Sequence, residues 1–214
     1  MSDRTRFGVL LSGSGTNLQA LIDAANTEHH PAEIAVVISN KKNAFGLERA
    51  RKAGIPAVHV PHKGKERSVF DQELVDVLVA HGVEWVALAG FMRILTPTFL
   101  SAFQNRVLNI HPALLPAFPG TNGQGQAFES GVRIAGATVH LVDAGTDTGP
   151  IVVQGAVPVL EDDTAETLQQ RILGVEHVLF PKVFRWAAEG RVSVSDGCAV
   201  VALPDGEERF VWQG

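Results

Sequence analysis

Asn109 and His111 stand two residues apart at the end of the apolar run Arg106-Val-Leu-Asn-Ile110, just before the rigid stretch His111-Pro-Ala-Leu-Leu-Pro-Ala-Phe-Pro-Gly120. Strand side chains alternate, so residues two apart share a side. An imidazole and a carboxamide on one side of a strand end pair a general acid or base with an amide donor. Alone, such a pair is better explained as a structural hydrogen bond. Asp147, in the turn-rich segment Asp143-Ala-Gly-Thr-Asp-Thr-Gly-Pro150, changes the weighing because its carboxylate can orient His111. Asn109, His111 and Asp147 then form an acyl-transfer set: oxyanion donor, proton carrier and orienter. The sequence has no G-x-S-x-G nucleophile elbow, and its single cysteine, Cys198, lies in the tail. Direct transfer without a covalent enzyme intermediate is expected.

A second constellation is Ser12-Gly-Ser-Gly-Thr-Asn17, which follows the apolar run Phe7-Gly-Val-Leu-Leu11 and opens a helix. Backbone N–H groups at a helix start have no partners within the helix and favour an anion. The third glycine of a dinucleotide fingerprint is missing, and the second strand ends in Ser39-Asn40 rather than in a carboxylate for a ribose. One phosphate, not a dinucleotide, suits this loop. The eight histidines show no metal-ligand spacing, so no metal is expected.

The elements that must carry these residues alternate. Apolar runs at Phe7–Leu11, Ile34–Ile38, Ala57–Val60, Trp85–Ala89 and Arg106–Ile110 read as strands. Between them, Asn17–Asn26, Leu47–Ala53 and Glu66–His81 carry helical periodicity, the last two closed by Gly54 and Gly82. Near-continuous apolar strands between helices imply an α/β fold: a mostly parallel, Rossmann-like open sheet with helices on both faces. Gly120–Gly125 reads as a mobile loop. Ala137–Val142 and Ile151–Val159 are two further strands. A long helix follows, with Asp163 and Glu166 as its expected capping box and Leu168, Ile172, Val175, Leu179, Val183 and Trp186 as one apolar stripe. The tail reads as a small C-terminal hairpin turning at Pro204-Asp-Gly206.

The 214 residues suit a single domain, 1–214: a nucleotide-binding-like half at 1–110, a catalytic half at 111–190 and the hairpin at 191–214. A net charge of -5 with scattered lysines and arginines disfavours nucleic acid. No apolar run approaches the ~18 residues of a membrane helix, and the N-terminus lacks a cleavage site. The lone cysteine excludes an intrachain disulfide, and a cytoplasmic setting is expected.

Leu10-Leu-Ser-Gly-Ser-Gly-Thr-Asn-Leu-Gln19, Leu88-Ala-Gly-Phe-Met-Arg-Ile-Leu95, Leu108-Asn-Ile-His-Pro112, Thr138-Val-His-Leu-Val-Asp143, Asp147-Thr-Gly-Pro150 and Glu176-His177 carry a resemblance. The chain resembles the phosphoribosylglycinamide formyltransferase family, folate-dependent enzymes of purine biosynthesis, to about residue 190. The resemblance implies transfer of the formyl group of 10-formyltetrahydrofolate, a co-substrate, to the amine of glycinamide ribonucleotide. It implies that Asn109, His111 and Asp147 are catalytic. It implies that Gly15, Thr16, Asn17 and Glu176 bind the ribonucleotide, and that Arg67, Met92, Arg93, Ile94, Leu95 and Asn109 bind the folate. The implied partners are these two small molecules, with no nucleic acid and no membrane, in a monomer or homodimer. Two features depart from the family pattern: Ala113 stands where serine is frequent, and Thr121-Asn-Gly-Gln-Gly-Gln-Ala127 lacks the usual histidine and basic residue. Rival readings are a 10-formyltetrahydrofolate hydrolase and a non-catalytic folate- or nucleotide-binding protein. The hydrolase would call for an N-terminal regulatory domain, for which a first strand near residue 6 leaves no expected room.

Overall fold

The computed structural model describes residues 4–213. The chain runs β1 (Thr5–Leu11), α1 (Thr16–Ala25), β2 (Ala32–Ser39), α2 (Phe45–Lys52), β3 (Ala57–His59), α3 (Arg67–Ala80), β4 (Trp85–Leu88), α4 (Pro97–Ala102) and β5 (Val107–His111). It continues with α5 (Gly123–Glu129), β6 (Ile134–Leu141), β7 (Ile151–Pro158), α6 (Ala165–Ala188), β8 (Val192–Ser195), β9 (Cys198–Val201) and β10 (Phe210–Trp212). Eight strands form one sheet in the order β10-β7-β6-β5-β4-β1-β2-β3. All neighbours are parallel except β5–β6 and β6–β7. Among the described residues no helix is long and apolar enough to cross a membrane.

Two apolar layers sandwich the sheet. Leu18, Leu21 and Ile22 of α1, Leu47 of α2 and the stripe Leu168, Ile172, Val175, Leu179 and Val183 of α6 pack on one face. Phe70, Leu74 and Leu78 of α3 and Phe99 of α4 pack on the other. This double cover explains why β1 and β2 are apolar at nearly every position rather than at alternate ones.

Three local expectations are corrected and one short helix is added. The segment Gly120–Gly125 does not stay a loop: α5 begins at Gly123, after Asn122 in the left-handed region at φ 60. Gln126 staples the entry by donating to the carbonyls of Thr121 (2.9 Å) and Pro119 (3.3 Å), while Ala127 packs into the core. The capping box of α6 belongs to Thr164 and Thr167, not to Asp163 and Glu166. Asp163 instead accepts from Thr167 Oγ1 (2.8 Å) and from both terminal nitrogens of Arg171 (2.6 and 2.8 Å). The short α4 was not marked by periodicity; it starts with Pro97 after Thr96, where a fixed φ and a missing N–H suit a helix start. The tail hairpin is β8–β9, turning at Asp196-Gly197, both at positive φ. Pro204–Gly206 does turn, but it leads into β10, which joins the main sheet beside β7.

Gly136 of β6 lies opposite Ala156 of β7, and a Cβ there would fall 1.9 Å from the carbonyl oxygen of Gly155. Backbone cannot yield as a flexible side chain does. Gly136→Ala is expected to cost at least the 1–3 kcal/mol of ordinary overpacking (an order-of-magnitude figure), read by chemical denaturation. Parent-like stability would show that the β6–β7 pair is looser than its packing.

Candidate active site

β5 extends past the parallel strands and presents Asn109 and His111. β6 pairs with it antiparallel, setting His140 opposite Asn109 and Thr138 opposite His111. The β6–β7 connection then brings Asp147 onto the cluster, with Asp147 itself in the left-handed region at φ 55. An aspartate tolerates that conformation better than a bulkier side chain.

The polar contacts specify proton positions. His111 Nε2 lies 2.9 Å from the carbonyl oxygen of Phe118, so this nitrogen must donate. His111 Nδ1 faces Asp147 Oδ2 at 3.4 Å. A proton on Nδ1 would sit between the ring and the carboxylate and make the ring an imidazolium. His140 Nδ1 lies 2.9 Å from the carbonyl oxygen of Leu141 and donates to it, and its Nε2 lies 3.5 Å from Asp147 Oδ1 and 3.0 Å from Asn109 Nδ2. Asn109 Nδ2 donates weakly to Asp147 Oδ1 at 3.5 Å. The Gly120 N–H donates to Asp147 Oδ2 at 2.8 Å. Burial pushes the Asp147 carboxyl up, but the His140 contact, the Gly120 N–H and the positive charge of the two imidazoles outweigh it and hold it below the usual carboxylate range. Asp147 is therefore a carboxylate at neutral pH.

Asn109, His111 and Asp147 line a cavity of about 520 Å³. Arg67 and the segment Met92–Leu95 line the same cavity, so the expected catalytic and folate groups converge on one site. Met92 and Ile94 are exposed, Leu95 is buried, and the Arg93 guanidinium lies 5.1 Å from the Phe70 ring centroid. His140 belongs to the cluster and was not singled out from sequence. Its signal is a second polar side chain two residues after Thr138 in an otherwise apolar strand.

The expected ribonucleotide residues sit apart from that lining. Gly15 is left-handed at φ 72, and a Cβ there would lie 2.6 Å from Gly46 Cα, so glycine is required. Thr16 opens α1 and lines a second depression of about 590 Å³ with Gln19, Arg49 and His177. Asn17 and Glu176 are both buried and joined at 2.6 Å, Asn17 Nδ2 donating to Glu176 Oε2. Burial pushes the Glu176 carboxyl up, partly offset by that hydrogen bond. The two regions are linked by Ser12, whose Oγ donates to Asn40 Oδ1 (2.7 Å) and accepts from the Met92 N–H (2.9 Å). Among the described residues no group of three His, Cys, Asp or Glu is placed to hold a metal ion.

Residues 5–184 match the family model described as formyl transferase. The chain is 43% identical over 193 residues to phosphoribosylglycinamide formyltransferase of Escherichia coli, covering 89% of this chain and 91% of that protein. It is 50% identical over 198 residues to the trifunctional purine biosynthetic protein adenosine-3 of Chironomus tentans, covering 91% of this chain but only 14% of that much longer relative. The crystal structure of glycinamide ribonucleotide transformylase 1 from Symbiobacterium toebii superposes with a TM-score of 0.91 at 50% identity, covering 94% of this chain and 95% of that one.

Asp147→Asn removes the charge while keeping the shape. Because the folded carboxyl titrates below its ordinary value, its contribution to stability is complete above the ordinary carboxylate range, roughly pH 4, and is lost as pH falls through the depressed value. The stability difference between parent and Asp147→Asn should be constant at neutral pH and close on acidification. A difference that widens toward low pH would reverse the assigned direction.

Proposed function

We propose that this chain, which belongs to the formyl transferase family, transfers the formyl group of 10-formyltetrahydrofolate to the amine of glycinamide ribonucleotide. The products are N-formylglycinamide ribonucleotide and tetrahydrofolate, in purine biosynthesis. The observation that carries the reading is the convergence of Asn109, His111 and Asp147 on one cavity with Arg67 and Arg93. The amine nitrogen bonds to the formyl carbon, and the carbonyl π pair moves onto oxygen. The tetrahedral intermediate collapses as the bond from carbon to N10 breaks. A proton leaves the attacking nitrogen and one reaches N10. His111, oriented by Asp147 and entering as imidazolium, steadies the oxyanion, gives its proton to the leaving nitrogen and regains the one lost by the attacking amine. Asn109 turns an amide hydrogen to the same oxygen, released from its weak contact to Asp147. The two arginines attract the carboxylates of the folate glutamate. The free amides of α1 at Gly15, Thr16 and Asn17 hold the phosphate, and Glu176 braces Asn17 beside it. A cytoplasmic setting belongs to the same reading, in keeping with one exposed thiol and no disulfide partner for it.

With water in place of the amine the same centre would hydrolyse the folate, so the acceptor decides. Folate turnover should be slow with enzyme alone and rise steeply when glycinamide ribonucleotide is added. The unphosphorylated riboside should be a poor acceptor. His111→Ala should lower single-turnover transfer by ~10²–10⁴, the range for one acid–base or oxyanion group. Equal rates with and without the ribonucleotide would mark a hydrolase. Folate binding without turnover in either condition would mark a binding protein.

A further inference from the structure

Gln124 lines the same cavity as Asn109, His111 and Asp147. Its carbonyl oxygen is fully buried, and no donor among the described residues reaches it. Leaving a buried acceptor unmade costs stability, so the amide is not there for the fold. Several of the polar groups around it are committed. Gln126 staples the backbone at Pro119 and Thr121, the Gly120 N–H serves Asp147, and His111 Nε2 serves Phe118. Asn109 Nδ2 already contacts His140 and Asp147. Two amides of the lining keep their hydrogens unspent, that of the exposed Asn122 and that of Gln124, whose oxygen alone is buried. With Oε1 turned inward, the end that can face the cavity is the Nε2 donor. Its position is fixed by α5: a Cβ on the preceding Gly123 would lie 3.0 Å from His111 Nε2 and 3.1 Å from Ala113 Cβ. Only a glycine lets the helix start lie this close to the imidazole, and the next residue, Gln124, shares a cavity lining with His111.

We propose that Gln124 is a catalytic residue that donates Nε2–H to the formyl oxygen as the π pair collects there and releases it when the bond to N10 breaks. The proposal rests on the formyl-transfer reading. A preorganised amide aimed at developing charge is the kind of donor whose loss lowers the chemical step more than substrate binding.

Gln124→Met keeps the length and removes both hydrogens and the orphaned oxygen. In single-turnover transfer from 10-formyltetrahydrofolate it should lose about 10²-fold, with KM for either substrate changed by less than about threefold. Its Tm should be no lower than the parent's, since the unmade acceptor is gone. Gln124→Glu, an acceptor without donors at neutral pH, should be at least as slow. The inference is overturned if Gln124→Met keeps the parent rate, or if Gln124→Glu does, which would make the group an acceptor. It is also overturned if the rate loss comes with a fall in Tm of several degrees, the sign of a packing role. Should the parent prove to be a hydrolase, the transfer reading fails by itself. The Gln124 variants are then measured on the hydrolytic rate, which passes through the same oxyanion and scores the donor separately.

Discussion

One carboxylate ties the site together. Asp147 meets Asn109 and His111 from β5, His140 from β6 and the Gly120 N–H from the proline loop, so a single charge sets the relation of three chain segments. No helix or ladder hydrogen bond could do this, because the segments differ in direction and in distance along the chain. The charge has to be kept. If Asp147 were neutral, the Nδ1 edge of His111 would lose its partner and the Gly120 N–H would lose the charge-assisted part of its bond. Holding the carboxyl below its usual range is thus a structural requirement of the site before it is a chemical one.

That arrangement depends on the point where the sheet changes direction. From β3 through β5 every neighbour is parallel, and β6 is the first strand to run back. A parallel β6 would carry its polar side chains away from the β5 terminus along with every other strand. The reversal sets His140 opposite Asn109 and lets Thr138 Oγ1 donate to the Ala113 carbonyl (2.7 Å) and accept from the Leu115 N–H (3.1 Å). Gln154 of β7 adds a bond to the Leu115 carbonyl at 2.9 Å. The proline loop is therefore pinned by Thr138 and Gln154, polar side chains on two largely apolar strands. The polar edge of the parallel sheet and the anchoring of the proline loop beside it come from one topological change.

The parts of this plan that are local were legible in the residues. Asn109 and His111 follow from strand alternation, and the stripe from Leu168 to Trp186 follows from helical spacing; each needs only neighbours in sequence. His140 was missed because its role comes from cross-strand register, which exists only once β5 and β6 are paired. The helix α5 was missed because Gly123 and Gly125 are poor helix formers, and what holds the segment is tertiary: the Gln126 staple and the burial of Ala127. The capping of α6 was misassigned by one residue because Asp163 and Thr164 are both good caps in type. The bond from Asp163 to Arg171, eight positions on, decides between them. The tail misled for a similar reason, since β10 pairs with β7 more than fifty residues away in sequence.

The same distinction separates the Asp147 cluster from the start of α1. Around Asp147 the protein has placed partners for nearly every polar atom, as preorganisation requires. At the start of α1 it has left atoms open: Asn17 Oδ1 is buried without a partner although its Nδ2 is held by Glu176. Burial raises the Glu176 carboxyl, and when protonated it can donate to that open oxygen from Oε1 while Oε2 keeps the bond from Asn17 Nδ2. Ser12, bonded both to Asn40 and to the Met92 N–H, ties the loop before α1 to the segment Met92–Leu95, so a shift of that loop would bear directly on the cavity this segment lines.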